Sequence, residues 1–317
     1  MRIAVVYGGT SSERNASAEN AKYIDGALRE CGYETCMIPY EKDLVRTLKE
    51  QRTDIVFVCV QGKGHGDGTI QAILEQEGIP FTGSGFHAAA IINDKIVSKL
   101  LFERFGIRTP KWRILTGKDY GEGLILPEQI GYPFVAKAPS EGGSFGIALI
   151  RNEKELEKVA DIFSYDDPIL IEEFIEGDFY TVGVIERDGI PVTLPCVRGV
   201  ELEEETENDD PKKLKVFTGA YAVREAKLPR QAVAQMEDMA RKAFRITGAE
   251  DAARIDFMVS EQDGLPYALE INAVPGLKPR SLLPGEAAMA GMSYRELIEE
   301  ILLSAWKKSE RSVHKEC

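Results

Sequence analysis

Apolar and polar positions along the first ninety residues alternate between two periods. Runs of strand length at Ile3–Tyr7, Thr35–Ile38 and Ile55–Val60 are separated by segments with helical spacing at Ser17–Glu30, Glu41–Gln51 and Thr69–Gln76. Strand-length runs interleaved with helices predict βαβ units and a parallel sheet, open at its edges. The turn Gly8-Gly9-Thr10-Ser11-Ser12 follows the first run, at the carboxyl end of a strand, where such sheets place ligands.

From 94 to 181 the pattern changes to a smaller α+β layer. A helix is predicted over Asp94–Phe105, with Asp94 at its start and Gly106 just past its end. Strands follow at Lys111–Leu115 and Phe134–Ala138, then a glycine-rich loop, Pro139–Gly146, a strand at Ile147–Ile150, a helix at Glu153–Phe163 and a strand at Ile169–Phe174. The stretch 182–317 has β-rich segments (Val182–Glu186, Pro191–Pro195), an acidic run from Glu201 to Asp210, and a long helix at Arg230–Thr247. Strands at Ala253–Ser260 and Tyr267–Ile271 and helices near Pro284–Ala290 and Ser293–Ser304 complete it, with Lys307–Cys317 expected to be a loose tail. The predicted organisation is three domains: 1–93, 94–181 and 182–317. The acidic run reads as a solvated loop, and the lysines after it (Lys212, Lys213, Lys215) allow a phosphate-facing lid.

Composition narrows the functions. With 39 Lys plus Arg against 52 Asp plus Glu, the net charge is −13, the wrong sign for tracking a phosphate backbone, so a nucleic-acid partner is not expected. Any anionic ligand needs a local cationic pocket. No run approaches the ~20 apolar residues of a membrane helix, and neither a membrane span nor a signal peptide is expected. Five cysteines without paired spacing fit a reducing cytoplasm rather than a disulfide framework or a zinc site.

The sharpest chemical signal is Arg254-Ile-Asp256 on one strand and Glu270-Ile-Asn272 at the end of the next. The period of two places each polar pair on one face, and a hairpin across Glu261–Leu265 would gather all four. Two carboxylates and an amide amid apolar neighbours are costly to bury without a neutralising cation. Mg²⁺ suits such a set, since it takes a few carboxylate oxygens and completes its shell with water or phosphates. An Arg254–carboxylate salt-bridge network on an exposed sheet is the plainer alternative. A second signal is Lys137 at a strand end before the loop carrying Gly142, Gly143 and Ser144, a point charge plus unobstructed N–H groups suited to polyphosphate. It is not a Walker loop, because no Gly-Lys-Ser/Thr follows, and Gly8-Gly9-Thr10 does not make the dinucleotide fingerprint. Lys95 opens a helix, and Glu172, Phe174 and Ile175 end a strand where a purine could pack and hydrogen-bond.

In order and spacing, Gly8-Gly-Thr-Ser-Ser-Glu13-Arg14, Thr82-Gly-Ser-Gly85, Asp94-Lys95, Lys137 with its glycine loop, Arg254-Ile-Asp256, Glu270-Ile-Asn272 and Pro275-Gly276 through Ser281-Leu282 resemble the D-alanine:D-alanine ligases of the ATP-grasp superfamily over nearly the whole chain. The resemblance implies an α/β ATP-grasp fold in which two α+β domains clamp the nucleotide beside an N-terminal open parallel sheet. It implies ATP with two Mg²⁺ ions, Mn²⁺ being an alternative, two small amino-acid substrates and a homodimer. Lys95 and Lys137 then match the phosphate lysines, Glu172 and the Ile175 backbone the adenine contacts, and Asp256, Glu270 and Asn272 the metal ligands. Arg254 and the Gly276 N–H match the oxyanion donors, Glu13 the carboxylate that holds the first substrate's ammonium, and Ser281 the hydroxyl on the second substrate's carboxylate. Without the resemblance, Glu13 reads equally as a helix-start carboxylate favoured by the macrodipole.

Departures from the family pattern fall on the amino-acid side. The first position of the family's His-Gly-x-x-Gly-Glu-Asp-Gly loop is Gln61, Gly66 replaces its glutamate, Gly143 replaces a serine, and Arg280 replaces a histidine. The Tyr-Asp-Tyr-x-x-Lys-Tyr segment is missing, leaving Lys215 to match its lysine with Val216 in a tyrosine position. The expected activity is ATP-dependent carboxylate–amine ligation through an acyl phosphate. D-alanine is one substrate reading, a different amino acid or peptide a second, and a non-catalytic ATP-binding homologue a third.

Overall fold

In a computed structural model the described residues are 1–64, 66–122, 130–201 and 221–313. The acidic run beyond Glu201, together with Lys212, Lys213, Lys215, Val216, His65 and Cys317, lies outside them. No helix among the described residues is long and apolar enough to cross a membrane.

The N-terminal part runs β1 (Arg2–Tyr7), α1 (Arg14–Glu30), β2 (Glu34–Pro39), α2 (Leu44–Glu50), β3 (Ile55–Val58) and α3 (Thr69–Gln76). Its strands form a parallel sheet in the order β2-β1-β3, as the alternation predicts. Two helices follow, α4 (Phe86–Asn93) and α5 (Lys95–Arg104). The first was not legible in the pattern, because its apolar residues do not form a stripe. Asp94 caps the second, accepting from the Ile96 and Val97 N–H groups at 2.8 and 3.1 Å.

A four-stranded antiparallel sheet is built from β4 (Trp112–Leu115), β5 (Phe134–Lys137), β6 (Ile147–Ile150) and β7 (Ile169–Glu173), in the order β4-β7-β5-β6. The short helices α6 (Gly117–Gly121) and α7 (Glu157–Ile162) accompany it, the latter preceded by one 3₁₀ turn at Glu153–Glu155. The third sheet comprises β8 (Gly177–Arg187), β9 (Ile190–Thr193), β10 (Val197–Glu201), β11 (Tyr221–Glu225), β12 (Ala252–Ser260) and β13 (Pro266–Asn272). Its order is β11-β10-β8-β12-β13, with β9 beside β8. Helix α8 (Arg230–Thr247) covers one face; α9 (Leu282–Met289) and α10 (Tyr294–Val313) complete the chain.

Three expectations need revising. Strand β8 runs through 181/182, so a division there would cut a paired strand; the small sheet ends at Glu173. Helix α5 packs not on the small sheet but on the large one, where Phe102 and Ile107 join Met236, Phe257 and Ile271 in one core. The segment 307–313 is the last part of α10 rather than a loose tail.

A second core joins the ends of the chain: Ile24 and Leu28 of α1 and Ile3 and Val5 of β1 pack with Leu283 of α9 and Leu297, Ile301 and Leu302 of α10. Burying these side chains at roughly 1.5–3 kcal/mol each fixes the start of α1 beside the carboxyl end of β13. The Leu277 N–H, just past that strand, donates to Asn20 Oδ1 of α1 at 2.9 Å.

Candidate active site

The large sheet supplies the floor of the site. Between β12 and β13 the antiparallel register pairs Arg254 with Asn272 and Asp256 with Glu270, so the two expected pairs share one face. Beyond Asp256 the register shifts: Phe257 pairs with Ala268, leaving Leu269 as an extra residue. This β-bulge reverses the alternation, so Ala268 enters the core with Phe257 and Ile271 while Glu270 stays on the polar face.

Arg254 grips Asp256 as a fork, Nε to Oδ1 at 2.6 Å and Nη2 to Oδ2 at 2.7 Å, and the Asn272 amide donates to Oδ2 at 3.1 Å. Burial raises the Asp256 pKa more than Arg254 lowers it, and the Glu270 charge adds to the rise. For Glu270 burial also acts upward, but Lys95, Lys137 and Arg254 together bring it below the usual carboxylate range. Two desolvated carboxylates side by side with an amide oxygen form a hard oxygen donor set suited to Mg²⁺. Among the described residues no cluster of three or more His, Cys, Asp and Glu gathers in metal-binding geometry, so a divalent ion here would draw remaining ligands from phosphate or water.

The roof comes from the small sheet and α5. Strands β5 and β6 form a hairpin whose loop crosses 138–146. Gly143 (φ 59°) and Ser144 (φ 65°) are in the left-handed region, which a glycine adopts freely and a serine only with strain. The loop is tied to α5: the Lys95 N–H donates to Pro139 O at 3.1 Å, and Lys95 Nζ to Glu141 O at 2.5 Å. The same ammonium lies 3.5 Å from Glu270, linking roof to floor.

Behind this loop lies a buried triad. Glu172 pairs with Lys137 and, at 2.7 Å, with Lys99, whose ammonium also donates to Thr109 Oγ1 at 2.7 Å. Burial lowers the Lys99 pKa, opposed by Glu172; burial raises that of Glu172, but the two lysines overcome it and bring it below the normal range. Lys99 was not singled out in the sequence, although a signal existed: Lys95, Ser98, Lys99 and Phe102 form the buried face of α5, so two lysines occupy core-facing positions. Phe174 and Ile175 are half-buried just beyond β7.

Glu13 stands at the N-terminus of α1 but makes no capping hydrogen bond. Its carboxylate instead faces the glycine loop so closely that a Cβ at Gly142 would lie 2.5 Å from Oε2. Its pKa is pushed up to about 7, burial first, with Lys95 and Arg254 opposing and Glu141 and Glu270 adding to the rise. Gly276 and Ser281 are neighbours, a Cβ at Gly276 being 3.2 Å from Ser281 Oγ, and Ser281 begins α9. Arg280 is exposed.

Glu286 of α9, also unremarked in the sequence, is fully buried. Thr181 donates its hydroxyl to Oε1, and Oε2 lies where a Cβ on Gly183 would be, 2.2 Å away. Its pKa is pushed up to about 8, burial first, with the Thr181 hydrogen bond and Arg254 opposing.

An open parallel sheet, a glycine hairpin with two lysines and a facing carboxylate floor together define an ATP-grasp fold. Comparison with known proteins narrows this. Residues 101–303 match the family "D-ala D-ala ligase C-terminus". A D-alanine–D-alanine ligase of Syntrophotalea carbinolica is 35% identical over 305 residues, covering 96% of each chain. One of Halalkalibacterium halodurans is 35% identical over 316 residues, covering 97% of this chain and all of its own. The crystal structure of the D-alanine–D-alanine ligase from Bacillus anthracis complexed with ATP superposes with a TM-score of 0.82 at 28% identity, covering 98% of this chain and 99% of that one. The chain belongs to the D-alanine–D-alanine ligase family.

Proposed function

We propose that this protein joins two D-alanine molecules into a dipeptide at the expense of ATP, supplying a cell-wall precursor. The observation that carries the proposal is the register pairing of Arg254 with Asn272 and Asp256 with Glu270, facing Lys95 across 3.5 Å. That arrangement sets cations for phosphate against carboxylates for a divalent ion. Relatives named for D-alanine favour that substrate over another amino acid.

Each residue then has a task. Lys95 and Lys137, with the N–H groups of Gly142, Gly143 and Ser144, would hold the phosphates. Glu172, Phe174 and the Ile175 backbone would receive the base, and Lys215 would add a further cation. Asp256, Glu270 and Asn272 would hold two Mg²⁺ ions, or Mn²⁺, which when bound offset the charge of the transferring phosphoryl group. Glu13 would hold the ammonium of the first D-alanine, whose carboxylate takes the γ-phosphoryl group to give an acyl phosphate and ADP. The amine of the second D-alanine, its carboxylate on Ser281, attacks that carbonyl; Arg254 and the Gly276 N–H stabilise the oxyanion, and phosphate leaves. The work of the chain is positioning and preorganised charge. The protein would act in the cytoplasm, where ATP is available, as a homodimer.

Incubating the protein with ATP, Mg²⁺ and D-alanine is expected to yield ADP, phosphate and D-alanyl-D-alanine in equal amounts. ADP released only with another amino acid would keep the chemistry and reject the substrate; ATP binding without turnover over a broad amino-acid panel would reject both.

A further inference from the structure

We propose that Asn20 and Gln61 form an amide clasp that aims the Gly276 N–H at the developing oxyanion, a role that rests on the ligase reading above. Residues 273–281, between β13 and α9, contain no strand or helix, so the direction of their backbone has to be fixed from outside. Gln61 Nε2 donates to Val274 O at 2.6 Å, and the Leu277 N–H donates to Asn20 Oδ1 at 2.9 Å. These two bonds bracket the Pro275–Gly276 peptide. Between the clasping side chains, Asn20 Nδ2 donates to Gln61 Oε1 at 3.4 Å.

The three bonds determine one another. Asn20 must present its oxygen to Leu277, which turns its NH₂ toward Gln61; Gln61 must receive that NH₂ with its oxygen, which leaves its own NH₂ for Val274. Flipping either amide would set like groups face to face. Both side chains are buried, Asn20 with 4% and Gln61 with 7% exposure, so water does not readily replace a lost partner. The clasp is anchored in turn: the Ser11 hydroxyl donates to Gln61 O at 2.7 Å, and Asn20 lies on α1, the helix that Glu13 opens as its N-cap residue. One helix therefore carries the carboxylate for the first substrate and a support of the oxyanion loop. Asn20 and Gln61 touch no reacting atom in this scheme and act as positioning residues through Val274 and Leu277. Position 61 is also where the chain departs from the histidine of the family pattern.

Three variants of the full chain test the clasp: Gln61→Met, Asn20→Leu and the double substitution, which keep volume and remove the amides. Each is expected to lower kcat for dipeptide formation by about 10- to 100-fold, the scale of an ångström-sized misplacement, with KM for ATP held near that of the parent and the melting temperature lowered by several degrees, the cost of an unmatched buried backbone group. The double variant is expected to be no slower than the worse single one, because the two amides act as a unit. Amide hydrogen exchange at Leu277 is expected to speed up in all three. Parental kcat with parental Leu277 exchange would overturn the proposal, and so would losses that multiply in the double variant or that disappear when each variant is assayed well below its own melting temperature. If the parent makes no dipeptide from D-alanine, the ligase reading fails, and Leu277 exchange alone then decides the clasp: unchanged exchange in Gln61→Met overturns it.

Discussion

Buried carboxylates with displaced proton affinities make the residue-scale expectations specific. Burial pushes the Glu13 pKa up to about 7, while the proposed role of holding an ammonium requires the ionised form. The kcat/KM for the first amino acid, which reports the free enzyme, is therefore expected to rise with pH through about 7 and to lose that inflection in Glu13→Gln, along with most activity; steady-state kinetics from pH 5.5 to 8.5 check this. Glu286 gives a prediction in stability. Burial pushes its folded-state pKa up to about 8, well above the ordinary glutamate range, so the native state holds a proton that the unfolded chain has released. Stability then falls as pH rises from about 4.5 through 8. Glu286→Gln, which needs no proton, is expected to melt above the parent at pH 9 and close to it at pH 4.5, measured by calorimetry. Arg254, Asp256, Glu270 and Asn272 were legible because alternation along a strand is set by covalent geometry. Glu286 was not, since nothing near it in the sequence distinguishes a buried glutamate on α9 from an exposed one.

At the scale of elements, the hairpin loop and α5 act together. A Cβ at Gly142 would meet the flexible end of Glu13 rather than backbone, so the side chain would move aside and the fold would persist. Gly142→Ala is expected to raise KM for the first amino acid several-fold while leaving the melting temperature nearly unchanged. Lys99 is a different case, fully buried and paired to Glu172. Removing one partner of a buried pair costs about 3–5 kcal/mol, and Lys99→Met is expected to lose stability on that scale in denaturant titration, with a weaker hold on ATP as Lys137 is drawn further toward Glu172. Most strands and helices could be read from periodicity, the hairpin β12–β13 and helix α8 nearly to the residue. Helix α4 could not, and neither could the bulge at Leu269, which answers to the core on one side of the sheet and the carboxylate face on the other.

For the whole molecule, the core shared by α1, β1, α9 and α10 and the bond from Lys95 to the glycine loop bring three regions of the chain to one site. A ligand seated among them should stabilise the native state as a unit, by about 2.7 kcal/mol at a hundred times its dissociation constant. Thermal shift is expected to show a clear rise with ATP and Mg²⁺ and none with nicotinamide dinucleotides; the reverse would reject the assignment of the glycine loop. The sequence alone determined the elements, their order, and which polar residues share a strand face, because those depend on bonds between near neighbours. The fold alone decided that Glu172 is held between Lys137 and Lys99, that Glu13 turns to Gly142 instead of capping its helix, and that Asn20 and Gln61 reach Val274 and Leu277. Those contacts join residues as many as 257 positions apart, and only the packing of the apolar cores determines which distant segments meet.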